Sequence, residues 1–353
     1  MRRKATIKDV AVRAGASITT VSRVLSGSDY PVSAELRAVI LRAAEELNYT
    51  PNKIGQLLRG GKSHQIGVVV PSITSPFYSQ LISAVQDECV TNDYVLMLYS
   101  SHSNQKGEME CIDALIQNQV AGAVLSLLYW NKEIGKKLDE AGIEYVLFDQ
   151  PHEEYDGASV DFDFFEAGKM AAKYLITNGN RDIAFASGVL DRPSRKQLLE
   201  GFKNVLKEEE ISWDDDLLLI NSVKKISGAS SVRDYRCGEE IGKKILNLEY
   251  IPDAIFAIND MMAMGIIKEL NKNGVFVPAD ISVMGFDNVE LSEIFSPALT
   301  TISQSAYQMG KSAMELLIEN MDGKKKNKKS ILMTPVLVER NSVRIKHKKI
   351  RRK

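Results

Sequence analysis

Cysteine is scarce in this chain: Cys89, Cys111 and Cys237 are the only three in 353 residues. They fall at no metal-ligand spacing, and an odd number makes no disulfide framework, so buried or indifferent thiols are expected. Histidine is almost as rare, and His64, His102, His152 and His347 form no motif with one another, so no metal site is expected. No apolar run reaches the ~18 residues needed to span a bilayer. The basic start Met1-Arg2-Arg3-Lys4 leads into no hydrophobic stretch of the kind a signal peptide needs, so the chain is expected in the cytoplasm, away from membranes. A glycine-rich phosphate loop, a nucleophile elbow and a metal cluster are missing as well. Scattered aspartates and serines do not make an active site, so neither an enzyme nor a cofactor is expected.

The length exceeds one ordinary domain, and 44% hydrophobic residues are enough for two or three units with real cores. A net charge of −1 hides an imbalance: residues 1–62 hold eleven Lys and Arg against five Asp and Glu, or +6, leaving −7 elsewhere. A basic segment on an acidic body suggests that one end meets a polyanion. A solvated basic surface is the plainer alternative, and local pattern has to decide.

Thr6 and Asp9 are spaced as a capping pair at the head of a helix over 7–14. Gly15-Ala16 breaks it, and Ser17 offers an N-cap for a second helix over 18–25. Residues 27–31 read as a loop, and Ser33 caps a third helix running to about Leu47. Two short helices around a tight turn, then a third, is the order of a helix-turn-helix domain. Residues 51–62 are too short for a free helix, with Gly60-Gly61 ending them, and read as a hinge. From Gln65 onward, apolar runs at 66–70, 94–99, 121–128 and 145–148 alternate with amphipathic helices. A second set follows at 183–186, 217–220, 254–258 and 281–284, with a break near 159–165. This implies two doubly wound lobes of parallel sheet covered on both faces. Two further strands, near 299–303 and 331–338, flank a helix over 307–321.

Thr6-Ile7-Lys8-Asp9-Val10-Ala11, then Ala14-Gly15-Ala16-Ser17-Ile18-Thr19-Thr20-Val21-Ser22-Arg23-Val24-Leu25, resembles the headpiece of the lactose-repressor/galactose-repressor (LacI/GalR) family. The likeness continues through Asn48-Tyr49-Thr50-Pro51-Asn52, Leu57-Leu58, Ser75-Pro76-Phe77-Tyr78, Asn259-Asp260, Gly285-Phe286-Asp287 and Leu299-Thr300-Thr301. It covers nearly the whole chain in the family's order. The implied fold is an all-α helix-turn-helix headpiece plus an α/β sensor of two doubly wound, parallel-sheet lobes, similar to periplasmic binding proteins. The expected domains are 1–50 for DNA binding, 51–62 for the hinge, and 63–340 for effector binding and dimerisation. Lobe 1 is expected over 63–161 plus 296–325 and lobe 2 over 162–295 plus 326–340. Residues 341–353 are read as a solvated basic tail without the leucine heptads of a tetramer.

At 100° per residue, Ile18, Thr19, Ser22 and Arg23 fall on one side of the second helix, at roughly 0°, 100°, 40° and 140°. Thr20, Val21 and Val24 fall on the other. By resemblance, Ile18, Thr19 and Arg23 contact bases, and Arg23 suits bidentate bonding to guanine. Thr6, Ser17 and Ser22 are expected at phosphates, which fix register without reading sequence. Leu58 is implied as a minor-groove wedge, where packing of linker onto lobe is the alternative. The family's two-fold arrangement implies a homodimer on pseudo-palindromic double-stranded operator DNA.

In doubly wound sheets, ligands sit beyond the carboxyl ends of strands. Ser72, Ser126, Asp149, Asn259 and Asp287 stand at such ends. Family position ranks Asn259 and Asp287 first as effector contacts, then Asp149, Ser126, Phe77 and Tyr78. Helix capping is an equal reading of Asn259, and core packing one of Phe77 and Tyr78. Family members commonly carry an arginine three residues before the Gly-Phe found here as Gly201-Phe202; this chain has Leu198, and residues 221–237 look long for the family. The function expected is a repressor whose operator affinity is set by a small polar metabolite, a sugar or sugar derivative. The alternative is a catabolite-type regulator governed by a phosphoprotein partner, which needs a docking patch the sequence does not reveal. A periplasmic sugar-binding protein shares the sensor but lacks the first sixty residues.

Overall fold

The structure, a computed structural model, describes residues 5–25, 30–49, 63–150, 152, 155–221, 230–323 and 328–344. It divides into two units, Met1–Ser63 and His64–Lys353. The expected hinge with Leu58, and the tail beyond 344, lie outside the described residues.

The first unit is built by local capping chemistry. Helix α1 (Ile7–Ala14) opens with a reciprocal cap, Asp9 N donating to Thr6 Oγ1 at 3.4 Å and Thr6 N to Asp9 Oδ2 at 2.8 Å. Gly15 ends it at φ +61°, a left-handed conformation that glycine adopts without strain. Ser17 Oγ accepts from Thr20 N at 3.0 Å at the head of α2 (Ile18–Leu25), and Ser33 Oγ from Leu36 N at 3.2 Å at the head of α3 (Ala34–Glu46). Val10, Val21, Val24 and Ile40 are each at most 4% exposed and meet in one core. Burial of such side chains contributes roughly 1.5–3 kcal/mol apiece.

The second unit runs β1 (Gln65–Val70), α4 (Pro76–Thr91), β2 (Val95–Ser100), α5 (Gln105–Gln117), β3 (Gly122–Leu125), α6 (Lys132–Glu140), β4 (Glu144–Phe148) and β5 (Ser159–Phe162). It continues with α7 (Phe164–Thr177), β6 (Ile183–Ser187), α8 (Pro193–Glu208), β7 (Leu218–Ile220), α9 (Ser230–Leu246) and β8 (Ala254–Ala257). Then come α10 (Asp260–Lys272), β9 (Ser282–Asp287), α11 (Leu291–Ile294), β10 (Thr300–Ser303), α12 (Ala306–Met321), β11 (Ser330–Met333) and β12 (Val336–Val338). One sheet has the order β2-β1-β3-β4-β5-β11, all parallel; the other is β7-β6-β8-β9-β10-β12, parallel except for the last pair. Among the described residues, no helix is long and apolar enough to cross a membrane.

Two details of the expected division change. Thr300–Ser303 pairs with Met284–Asp287 and so belongs to the second lobe, although 296–325 was expected in the first. Ser330–Met333 pairs with β5 in the first lobe, although 326–340 was expected in the second. The single strand expected over 331–338 is two strands in different sheets. Pro335 has no N–H to continue a ladder, and the chain crosses between lobes at that point. It crosses also between β5 and α7 and between β10 and α12, making three passages among the described residues. Phe162, Phe164 and Phe286 pack beside the first of these, with ring centroids 5.0, 5.9 and 6.2 Å apart.

The second lobe owes part of its compactness to bare backbone contact. A Cβ on Gly201 of α8 would lie 1.9 Å from the Phe165 carbonyl oxygen, and one on Gly168 of α7 would lie 2.0 Å from that of Leu198. The two helices therefore touch main chain to main chain at this crossing.

Candidate DNA-reading face and ligand cleft

Burial of Val21 and Val24 against α1 and α3 turns the opposite side of α2 outward. Ile18 is 38% exposed, Thr19 and Arg23 are exposed, and Ser22 is half-buried. Thr20 is half-buried with its hydroxyl 2.8 Å from that of Ser17, so Ser17 serves the helix start. The Thr6 hydroxyl donates to Asp9 Oδ2 at 2.7 Å and is committed to capping α1. Sequence pattern does not single out Tyr30, whose exposed ring carries the Arg23 guanidinium 3.9 Å above its centroid. Such stacking holds a planar cation in one orientation.

In the second unit, parallel strands bring their carboxyl ends together around a cavity of about 300 Å³ between the lobes. Five of the six effector residues expected from sequence line it: Phe77, Tyr78, Asp149, Asn259 and Asp287. Ser126 does not; it is fully buried behind Asp149 and donates to Asp149 Oδ2 at 3.2 Å. The same oxygen accepts from Tyr78 Oη at 2.6 Å and from Gln150 Nε2 at 2.9 Å. Asn259 fills both of its readings, capping α10 through Met262 N at 2.8 Å while its amide donates to Asp234 at 3.1 Å within the cavity wall. Phe77 and Tyr78 are only 4% and 6% exposed and pack edge to face at 5.1 Å, so they form a floor more than an open stacking platform.

Asp287 accepts from Gln304 Nε2 at 2.6 Å, and the other amide atom, Gln304 Oε1, is buried without a partner. That oxygen is an acceptor waiting for a donor. Two of the cavity carboxylates sit on left-handed backbone, Asp149 at φ +68° and Asp287 at φ +108°, conformations that side-chain-bearing residues keep only where the surroundings impose them. Burial pushes both carboxyls above their ordinary range, and Asp287 is raised further by its neighbours Asp260, Asp149 and Asp234. Gln150 and Gln304 follow strand ends and obey the rule that singles out Asp149. Arg233 and Asp234 lie within the long segment 221–237, where no periodicity marks them.

Asp260, at the start of α10, is fully buried beneath this floor. Its carboxylate accepts from Thr301 Oγ1 at 2.6 Å and from Val289 N at 2.8 Å, tying down the turn that presents Asp287. Burial raises its carboxyl from 3.8 to about 7. The folded chain thus keeps a proton that the unfolded chain releases. The stability this confers is complete below about pH 4 and is lost as pH rises to about 7, on the order of 4 kcal/mol in full. Asp149 and Asp287 act in the same direction. Calorimetry of the full chain should show a melting temperature that falls from about pH 5 to 8, with a shallower slope in Asp260→Asn. An unchanged slope would remove Asp260 as its source.

Among the described residues, no group of three or more His, Cys, Asp or Glu is placed to hold a metal ion. The description "Bacterial regulatory proteins, lacI family" matches residues 6–52, and "Periplasmic binding protein-like domain" matches residues 172–343. The HTH-type transcriptional repressor PurR of Vibrio parahaemolyticus is 33% identical over 343 residues, spanning 96% of this chain and 99% of its own. A lac repressor dimer bound to operator and the anti-inducer ONPF matches with a TM-score of 0.83 at 26% identity, covering 96% of this chain and 99% of that one. The transcriptional regulator CelR in complex with cellobiose matches with a TM-score of 0.70 at 26% identity and the same coverage. With a helix-turn-helix headpiece and a two-lobed, cleft-bearing sensor in one sequence, the chain belongs to the lacI family of bacterial regulatory proteins.

Proposed function

We infer that this chain is a transcriptional repressor of the bacterial cytoplasm that binds a pseudo-palindromic operator as a homodimer. Its grip is set by a small polar metabolite, a sugar or sugar derivative, held in the cleft. One observation carries the reading: the cavity is lined from both lobes, by Asp149 and Gln150 of the first and Arg192, Asn259 and Asp287 of the second. Among the described residues, two direct side-chain bonds span it, Ser194 to Gln150 at 3.1 Å and Arg192 to Ser103 at 3.5 Å. A ligand that adds further bridges binds one lobe arrangement better than another. That difference is what shifts the population of states. Base contact is assigned to Ile18, Thr19 and Arg23, phosphate contact to Ser17 and Ser22, and Thr6 joins them only by releasing part of its cap. The cellobiose held by CelR and the operator held by the lac repressor dimer are consistent with both halves of the reading.

A thermal-shift screen of the full chain against sugars, sugar acids and purine bases tests it. A true effector at a hundredfold excess over its Kd should stabilise the sensor by about 2.7 kcal/mol. Asp287→Ala should abolish the shift and the ligand's effect on operator affinity together. If no compound in the screen stabilises the protein, the metabolite reading yields to control by a phosphoprotein partner.

A further inference from the structure

One wall of the cleft differs from the rest. Arg192 and Arg195 enter it from the head of α8 and Arg233 from α9, so three guanidiniums line one small cavity. Their compensation is incomplete. Arg195, with its side chain only 18% exposed, donates to the Val189 carbonyl at 2.7 Å and lies 3.6 Å from the exposed carboxylate of Asp191. Among the described residues Arg192 and Arg233 form no ion pair, and Arg192 reaches only the Ser103 hydroxyl, at 3.5 Å. The half-buried Asp234 carboxylate accepts from Asn259, and its single charge is shared among all three arginines. Burial, with Arg192 close by, lowers the Arg195 guanidinium to about 10. Like charges drawn out of water repel one another, and an anion that takes their donors in pairs relieves the repulsion.

The arrangement on α8 also accounts for Leu198. Residues 192, 195 and 198 follow one another at helical spacing of three, so they share a face. The cationic group expected at 198 is absent, and two stand one and two steps closer to the helix start. That start has Pro193 in its first turn and no side-chain cap, which leaves the positive end of the helix dipole beside the arginines.

We propose that the cleft ligand carries an anionic oxyacid group, a phosphate monoester or a carboxylate, held by Arg192, Arg195 and Arg233. Asp149, Asp287, Asn259 and the unpartnered Gln304 oxygen take hydroxyls on the remainder of the molecule. This rests on reading the cleft as the effector site and narrows what fills it. About 300 Å³ is at the small end for ligand pockets and suits one monosaccharide-sized body with one such group.

The test titrates the full chain with matched probes at constant ionic strength: glucose, glucose 6-phosphate, glucuronate, ribose, ribose 5-phosphate and inorganic phosphate, followed by calorimetry and melting temperature. The anionic member of a pair should bind at least tenfold more tightly than its neutral parent. Arg192→Gln, and separately Arg233→Gln on the other helix, should each cut that ratio by tenfold or more. Tighter binding of the phosphates than of glucuronate assigns a phosphate monoester, and the reverse assigns a carboxylate. Saturable binding of inorganic phosphate alone, lost in both variants, supports the anion subsite independently of the sugar. Neutral parents binding as well as their anionic partners, with Asp287→Ala abolishing both, would overturn the anion subsite and leave the effector cleft standing. No binding by any probe, together with no hit among sugars, sugar acids and purine bases, would overturn both readings.

Discussion

Gly201→Ala should destabilise the second lobe by at least about 3 kcal/mol, lowering its melting temperature by roughly 6–12 °C. The sign of the change is the informative part. On an open helix face the same substitution stabilises, by up to about 1 kcal/mol, because alanine is the better helix former. Here the added Cβ would lie 1.9 Å from the Phe165 carbonyl oxygen and 2.8 Å from its carbon, and neither is the movable tip of a side chain. Relief requires α7 and α8 to move apart, which loosens the fully buried Phe202 and its neighbours. Because α8 also presents Arg192 and Arg195 to the cavity, the ligand site should be disturbed with it. Differential scanning calorimetry settles the matter, and a rise in melting temperature would show that the helices are not in backbone contact.

Arg23→Ala should weaken operator binding by about 1–3 kcal/mol and relax the preference at one base pair of each half-site. The guanidinium stands on the exposed side of α2 and, being always charged and planar, suits the two acceptors of guanine. Tyr30→Ala should have a smaller effect, about 0.5–1 kcal/mol, by releasing the guanidinium from its stack. Combined with Arg23→Ala it should add little, since Tyr30 acts through Arg23. Fluorescence anisotropy against operator and single-base variants, all at one salt concentration, measures each effect. Arg23→Ala protein that kept the wild-type preference for operator over scrambled DNA would remove Arg23 from base reading.

How far the sequence could be read depended on how local the governing physics is. The bounds of α1 and α2 follow from side chains within three residues of each end, Thr6 with Asp9, Gly15, and Ser17, so they could be drawn from sequence. The rule that ligands gather at strand ends found Asp149, Asn259 and Asp287, which stand around one cavity. The partners of β10 and β11 were not legible, because Leu299-Thr300-Thr301-Ile302 suits either sheet equally and its choice is made by residues far along the chain. Arg233 and Asp234 escaped notice because one turn of helix with two charges looks like a solvated face until α9 is set against the cleft. Ser126 was read as a ligand contact, since strand-end position alone does not tell whether a hydroxyl faces the cavity or stands behind another side chain.

The three passages between lobes have a bearing on how the protein is made. The first sheet is completed by β11, residues 330–333, and α12 packs on α4 and against β3 and β4. A ribosome that has finished β5 has therefore made only part of the first lobe, and all of the second lobe except its last strand is synthesised before the rest arrives. During that interval β5 presents an unpaired edge, and the apolar face awaiting α12 is uncovered, at the stage when nascent chains are most prone to aggregate. The second lobe also closes late, since β12 follows β11 by two residues. Both halves of the sensor thus finish within the same short stretch of translation, which makes their folding a joint event even though each has a sheet of its own.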